Sequence, residues 1–108
     1  MMRYVLAKGK VQRVMFRQTF IRGAQKRSLS AGASNLPGKN EVALTLEGDE
    51  SSVNELVAAL RETDPLNSWG AHIKELQEQA DGLKVEDHQV HTGNVDDFSW
   101  NPNIEMYL

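Results

Sequence analysis

The stretch YVLAKGKVQRVMFRQTFIRGAQKR, residues 4–27, changes its hydrophobic period once, and that change decides the fold. Over residues 4–11, β-formers mixed with an apolar run lead past Gly9, which predicts a buried strand running into a loop. From Met15 onward Phe16, Phe20 and Ala24, with Ile21 beside them, recur at helical spacing, and Lys26 and Arg27 supply the charge that a helix C-terminus favours. A first helix is expected over residues 15–29.

Working outward, Gly32, Asn35, Pro37 and Gly38 punctuate the next stretch, after which Val42, Leu44 and Leu46 alternate with Ala43, Thr45 and Glu47 before Gly48. The pattern predicts a hairpin turning over residues 36–40. Ser52 followed three residues later by Glu55 reads as a capping box, and Val53, Leu56, Val57 and Leu60 fall at i, i+3, i+4 and i+7, the core-facing stripe of a second helix. Asp64 and Pro65 close that helix. Residues 71–79, with Ile73 and Leu76, form a weaker strand candidate, and residues 84–90 another short one. Residues 97–100 and 104–108 compete for the last sheet position. The order strand, helix, strand, strand, helix, strand is the split βαβ arrangement, so the expectation is an α/β chain of the α+β kind: a ferredoxin-like βαββαβ sandwich, an antiparallel sheet with two helices on one face. Such folds host enzymes, RNA binders and metal chaperones, so function has to come from the site.

The 108 residues suit one domain with one core. A hydrophobic fraction of 40% and a charged fraction of 25% are those of an ordinary globular protein, no apolar run is long enough to span a bilayer, and the first residues lack a signal-peptide pattern. A cytoplasmic monomer without a membrane partner is the expectation. Without cysteine there is no disulfide, thiolate metal site or cysteine nucleophile. The formal charge of -3 and pI near 5.6 argue against general nucleic-acid binding. The charge is uneven, however. Arg3, Lys8, Lys10, Arg13, Arg17, Arg22, Lys26 and Arg27 all precede the first acidic residue, Glu41, which puts any anion site in the first third of the chain.

Gly9, Lys10, Val11, Gln12, Arg13, Val14, Met15, Phe16 and Arg17 lie at the junction between the first strand and the first helix. The first N–H groups of a helix lack internal partners and its dipole favours negative charge there, while Arg17 in the first turn adds a planar fork matched to phosphate oxygens. The same residues also describe a solvated basic helix start, and residue types alone leave both readings open.

The run Val11, Gln12, Arg13, Val14, Met15, Phe16, Arg17, preceded by Gly9, resembles the acylphosphatase signature Gly-x-Val-Gln-Gly-Val-x-Phe-Arg. Asn35, Leu36 and Pro37, followed by Val42 and by Glu47 and Gly48, resemble that family's second motif, and the likeness covers residues 4–60. It implies hydrolysis of acyl phosphates, small-molecule substrates, to carboxylate and inorganic phosphate, with neither metal nor cofactor. It further implies that the backbone N–H groups of Gln12, Arg13, Val14, Met15, Phe16 and Arg17, with the Arg17 guanidinium, bind the phosphoryl group, and that the Asn35 amide orients the attacking water. Taken alone, Asn35 would be read as a turn residue before Leu36, Pro37 and Gly38.

The chain departs from the pattern in two places. Arg13 stands where the family has glycine, at a point where left-handed geometry lets N–H groups converge on an anion; the expectation is weak activity that rises in Arg13→Gly. Gly32, Ala33 and Ser34 replace a bulky, a small apolar and a basic residue, and the loop holding Gly38, Lys39 and Asn40 is one residue longer. A non-catalytic anion-binding module of the same fold is the alternative. An RNA-binding domain is disfavoured, since residues 42–46 lack the aromatics that stack bases.

His88 and His91 read as surface residues and His72 as a strand-edge residue. Trp69 and Trp100 read as core or rim packing, and Glu75, Glu78, Asp81, Glu86 and Asp87 as a solvated acidic face.

Overall fold

The structure, a computed structural model, describes residues 1–38 and 40–108. Lys39, in the expected hairpin loop, lies outside the described residues. Along the chain come β1 (Met2–Lys10), α1 (Phe16–Lys26), β2 (Ser30–Asn35), β3 (Glu41–Glu47), α2 (Glu50–Glu62), β4 (His72–Gln79) and a two-residue β5 (Val90–His91). The sheet has the order β4-β1-β3-β2-β5 with every pairing antiparallel. This is the ferredoxin-like sandwich that the sequence pattern predicts, with two helices packed on the sheet and one extra short edge strand.

Burial follows the periods read from the sequence. Val5 and Ala7 of β1, Ala31 and Ala33 of β2, and Val42, Leu44 and Leu46 of β3 meet Phe16, Phe20, Ile21 and Ala24 of α1 and Val53, Leu56, Val57 and Leu60 of α2 in one core. Each of these large side chains contributes about 1.5–3 kcal/mol of burial. Gly9 lies where β1 shifts register against β4, at φ 145°, and a Cβ there would stand 2.4 Å from the His72 carbonyl oxygen, so only glycine fits.

The boundaries differ from expectation for local reasons. α1 stops at Lys26, not residue 29, because Ser28 is left-handed (φ 58°) and the N–H groups of Ser28 and Leu29 turn back onto the carbonyls of Gln25 and Ala24. α2 starts earlier than its apparent capping box: Asp49 is the N-cap, its carboxylate accepting from the Ser52 N–H at 3.2 Å. Residues 84–90 are not a strand, since Val85–Asp87 is a 3₁₀ turn and pairing begins only at Val90.

Neither C-terminal candidate enters the sheet. Asp97 belongs to a second 3₁₀ turn, Val95–Asp97, and Trp100 folds back to donate to the Val95 carbonyl. Residues 104–108 instead run beside residues 66–68: Met106 bridges Asn67, Tyr107 N–H donates to the Leu66 carbonyl, and Ser68 N–H donates to the Glu105 carbonyl. The sheet positions are filled by β4 beside β1 and by β5 beside β2. His72 begins the edge strand β4, as expected, and Glu75, Glu78, Asp81, Glu86 and Asp87 are exposed.

Candidate active site

The loop between β1 and α1 is held at both ends. At its start, Gln12 turns its side-chain amide onto the β2–β3 hairpin, its Nε2 donating toward the carbonyls of Leu36, Gly38 and Glu41 at 3.0, 2.7 and 2.8 Å. At its end, wholly buried Asn67 donates through Nδ2 to the Val14 carbonyl at 2.9 Å and to Thr19 Oγ1 at 2.8 Å. The Asn67 carbonyl oxygen accepts from the N–H groups of Trp69 and Ala71. Every polar atom of that amide is therefore used, which is the condition for burying it cheaply. Thr19 donates through its hydroxyl to the Met15 carbonyl at 2.8 Å.

Between these anchors the backbone takes two left-handed residues, Arg13 at φ 66° and Met15 at φ 59°. The glycine-type conformation is thus kept at position 13 with arginine in place, at a cost of roughly 1–2 kcal/mol. α1 begins directly after Met15, its first turn carries no acidic residue, and Phe16, Arg17 and Gln18 have no intrahelical acceptor for their N–H groups.

A cleft of about 230 Å³ opens at this helix start, with Arg13, Arg17, Asn35, Trp69 and Trp100 among its lining residues. The structure therefore brings together Arg13, Met15, Phe16, Arg17 and Asn35, while Gln12 and Val14 do not line the cleft. Arg17 is half-buried, and desolvation lowers its pKa from the ordinary guanidinium value. Asn35 ends β2, and its Oδ1 is buried with no hydrogen-bond partner among the described residues; the same holds for Gln18 Oε1 on the first turn of α1. Buried acceptors left open at a cleft are places for a donor such as water. Among the described residues, no group of three or more His, Asp or Glu side chains is placed to hold a metal ion.

A family model described as Acylphosphatase matches residues 3–98. The chain belongs to the acylphosphatase family. Among solved structures it is similar to the acylphosphatase from Coxiella burnetii, at 25% identity and a TM-score of 0.62 over 77% of this chain and 82% of that one. It shares its fold with the acylphosphatase from Bacillus subtilis, at 24% identity and a TM-score of 0.61 over 78% of this chain and 90% of that one. A further similarity is to T.kodakarensis HypF, at 27% identity and a TM-score of 0.58, where 71% of this chain corresponds to only 10% of that chain.

Residues outside the first half also line this cleft or contact its lining. Gln89, which sequence reasoning passed over, accepts at Oε1 from Arg17 Nη1 at 2.9 Å and from the Asn35 backbone N–H at 2.7 Å. Trp69 and Trp100 form a rim: each indole N–H is already committed, to the carbonyls of Asn103 and Val95, so the rings are fixed in orientation.

His88 is not a surface residue. It is buried on the sheet face opposite the helices, 2.9 Å from Ser34 Oγ through Nδ1 and 2.7 Å from Thr45 Oγ1 through Nε2. Thr45 Oγ1 gives its one proton to the Leu83 carbonyl, so Nε2–H donates to Thr45, while Ser34 Oγ, which accepts from the Gln89 N–H, pairs with Nδ1. Nε2 therefore carries a proton, and burial favours the neutral ring, in which Nδ1 accepts from the Ser34 hydroxyl. Burial lowers the His88 pKa, nearby His91 lowers it further, and Asp87 opposes them. His91 is the second residue of the edge strand β5 and is partly buried.

Proposed function

We propose that this chain hydrolyses acyl phosphates to carboxylate and inorganic phosphate at the cleft above the α1 N-terminus. The observation that carries the proposal is that Arg17, from the first turn of α1, and Asn35, from the end of β2, line one cleft, with the Asn35 Oδ1 lacking a hydrogen-bond partner among the described residues. Backbone N–H groups of Arg13, Met15, Phe16 and Arg17, the loop residues that line the cleft, with the Arg17 guanidinium, bind the phosphoryl oxygens and stabilise charge as it develops. Asn35 Oδ1 accepts a hydrogen bond from a water and so turns its lone pair toward phosphorus. The water oxygen bonds to phosphorus as the bond to the carboxylate oxygen breaks, one water proton passes to a phosphoryl oxygen to give dihydrogen phosphate, and the carboxylate departs without needing a proton. Positioning and charge stabilisation then supply most of the acceleration. The acyl portion lies against Trp69 and Trp100.

Left-handed Arg13 makes turnover slower than a glycine-bearing loop would give, and it is the observation that favours the second reading, a phosphate-binding module without turnover. We further propose action as a cytoplasmic monomer, consistent with the absence of cysteine, the charge of -3 and the lack of any helix among the described residues that is long and apolar enough to cross a membrane.

The test is hydrolysis of benzoyl phosphate without added metal by the native chain, Arg17→Ala and Asn35→Ala. Each variant is expected to lose on the order of 10²–10³-fold in kcat/KM, the usual size of one lost transition-state contact. Full activity in both removes the mechanism, and phosphate binding without turnover in the native chain establishes the second reading.

A further inference from the structure

Gln89 touches two residues that line the cleft, Arg17 and Asn35, and its position is set from behind. Its own backbone N–H donates to Ser34 Oγ at 2.9 Å, and the preceding residue, His88, is pinned between Ser34 and Thr45. From that fixed point the carboxamide reaches two donors at once, Arg17 Nη1 and the Asn35 N–H, while its Nε2 faces the Asn35 carbonyl at 3.5 Å. Since both close partners are donors, the oxygen must be the atom turned toward them. Only one guanidinium N–H is used in this way, which leaves the rest of the fork for an anion. A neutral amide also leaves the Arg17 charge uncancelled, whereas a carboxylate in the same place would satisfy both donors and neutralise it.

We propose that Gln89 is a positioning residue for this site: its neutral carboxamide aims the Arg17 guanidinium at the start of α1 and ties it to the Asn35 end of β2 without competing for the phosphoryl group. The proposal rests on Arg17 being a phosphate ligand. It assigns a role in the first-third site to a residue from the last third of the chain, through a device that tolerates an amide and not an acid.

The experiment compares the native chain with Gln89→Glu and Gln89→Ala, measuring the Kd of inorganic phosphate by calorimetry, kcat and KM for benzoyl phosphate, and the thermal unfolding midpoint. Gln89→Glu keeps both close hydrogen-bond acceptances and gives up only the 3.5 Å contact of Nε2 with the Asn35 carbonyl, so a purely structural tie would leave phosphate Kd and KM native-like. The positioning role instead predicts a native unfolding midpoint with the phosphate Kd and KM raised about fivefold, the size of an exposed ion pair competing for Arg17. Gln89→Ala frees the guanidinium, and a fall in kcat of about threefold or more is expected with a smaller change in KM. Gln89→Glu binding phosphate as tightly as the native chain overturns the proposal, and so does Gln89→Ala with native kcat, KM and Kd. A native chain that binds no phosphate overturns the reading of Arg17 and this proposal with it. Phosphate binding without turnover removes hydrolysis alone, and the Kd comparison still decides the role of Gln89.

Discussion

A Cβ built on Gly32 would stand 2.5 Å from Cδ2 of His88, so the imidazole occupies the space that a side chain at position 32 would need. The second-motif departures thereby become one coupled change. Gly32 makes room for the ring, Ser34 caps its Nδ1, and the same Ser34 receives the Gln89 N–H. Replacing a bulky and a basic residue on this strand lets a late segment of the chain lie on the sheet and deliver Gln89 to the cleft.

Gly32→Val should therefore destabilise the fold through overpacking, by about 1–3 kcal/mol, read as a lower denaturant midpoint with an unchanged m-value. A native midpoint would mean that the His88 segment is held by something other than this contact.

Stability should also depend on pH through His88. Its folded pKa is depressed, so the unfolded chain binds the extra proton first. The stabilisation is fully present above the unfolded value of about 6.5 and is lost as pH falls from there through the folded value. Unfolding midpoints measured from pH 7.5 downward should drop in this window, and the drop should shrink in His88→Gln. A His88 titration observed by NMR above 6.5 would contradict the neutral, doubly bonded ring.

Arg13→Gly should raise kcat/KM for benzoyl phosphate by up to about fivefold. Left-handed arginine costs on the order of 1 kcal/mol, and about fivefold is the most that relieving it can add to the occupancy of the anion-ready loop. Stability should change little, because the relief of strain and the greater unfolded-state entropy of glycine, each about 0.5–1 kcal/mol, oppose one another. Activity that stays level or falls would show that the Arg13 charge, rather than its backbone, is what the cleft uses.

With both indole N–H groups committed, Trp69 and Trp100 have only their ring surfaces to offer a substrate. Trp100→Ala should cut the preference for benzoyl over acetyl phosphate by about two- to tenfold, in line with about 0.5–1.5 kcal/mol for an aromatic contact, while acetyl phosphate hydrolysis stays near native. Equal losses on both substrates would place the indole outside acyl recognition.

Much of this architecture could be read from residues 4–60, where the period of two at Val42, Leu44 and Leu46 and the period of 3.6 at Phe16, Phe20 and Ala24 each answer to one buried face. That Arg17 and Asn35 belong to one site came instead from the resemblance of the two motifs, and both line one cleft. The late segment was not. Its order comes from individual hydrogen bonds, such as those of His88, Gln89 and Trp100 to distant partners, and such bonds leave no periodic trace. His88 gave one local hint: two glycine-small positions, Gly32 and Ser34, on one face of a strand mark a surface on which something else must lie. Asn67 gave none, because a buried amide with partners far along the chain looks in sequence like any turn residue.

Asn67 also sets how the loop can move. Its amide is shared by the Val14 carbonyl and the Thr19 hydroxyl on one side and by the N–H groups of Trp69 and Ala71 on the other, deep in the interior. To swing open, the Val14 end of the loop would have to break hydrogen bonds to a side chain that solvent does not reach. The Thr19 N–H, which donates to the Met15 carbonyl at 3.1 Å, should accordingly exchange more slowly than the unpartnered N–H groups of Phe16, Arg17 and Gln18 before it, and an incoming anion meets a helix start that is set before it arrives.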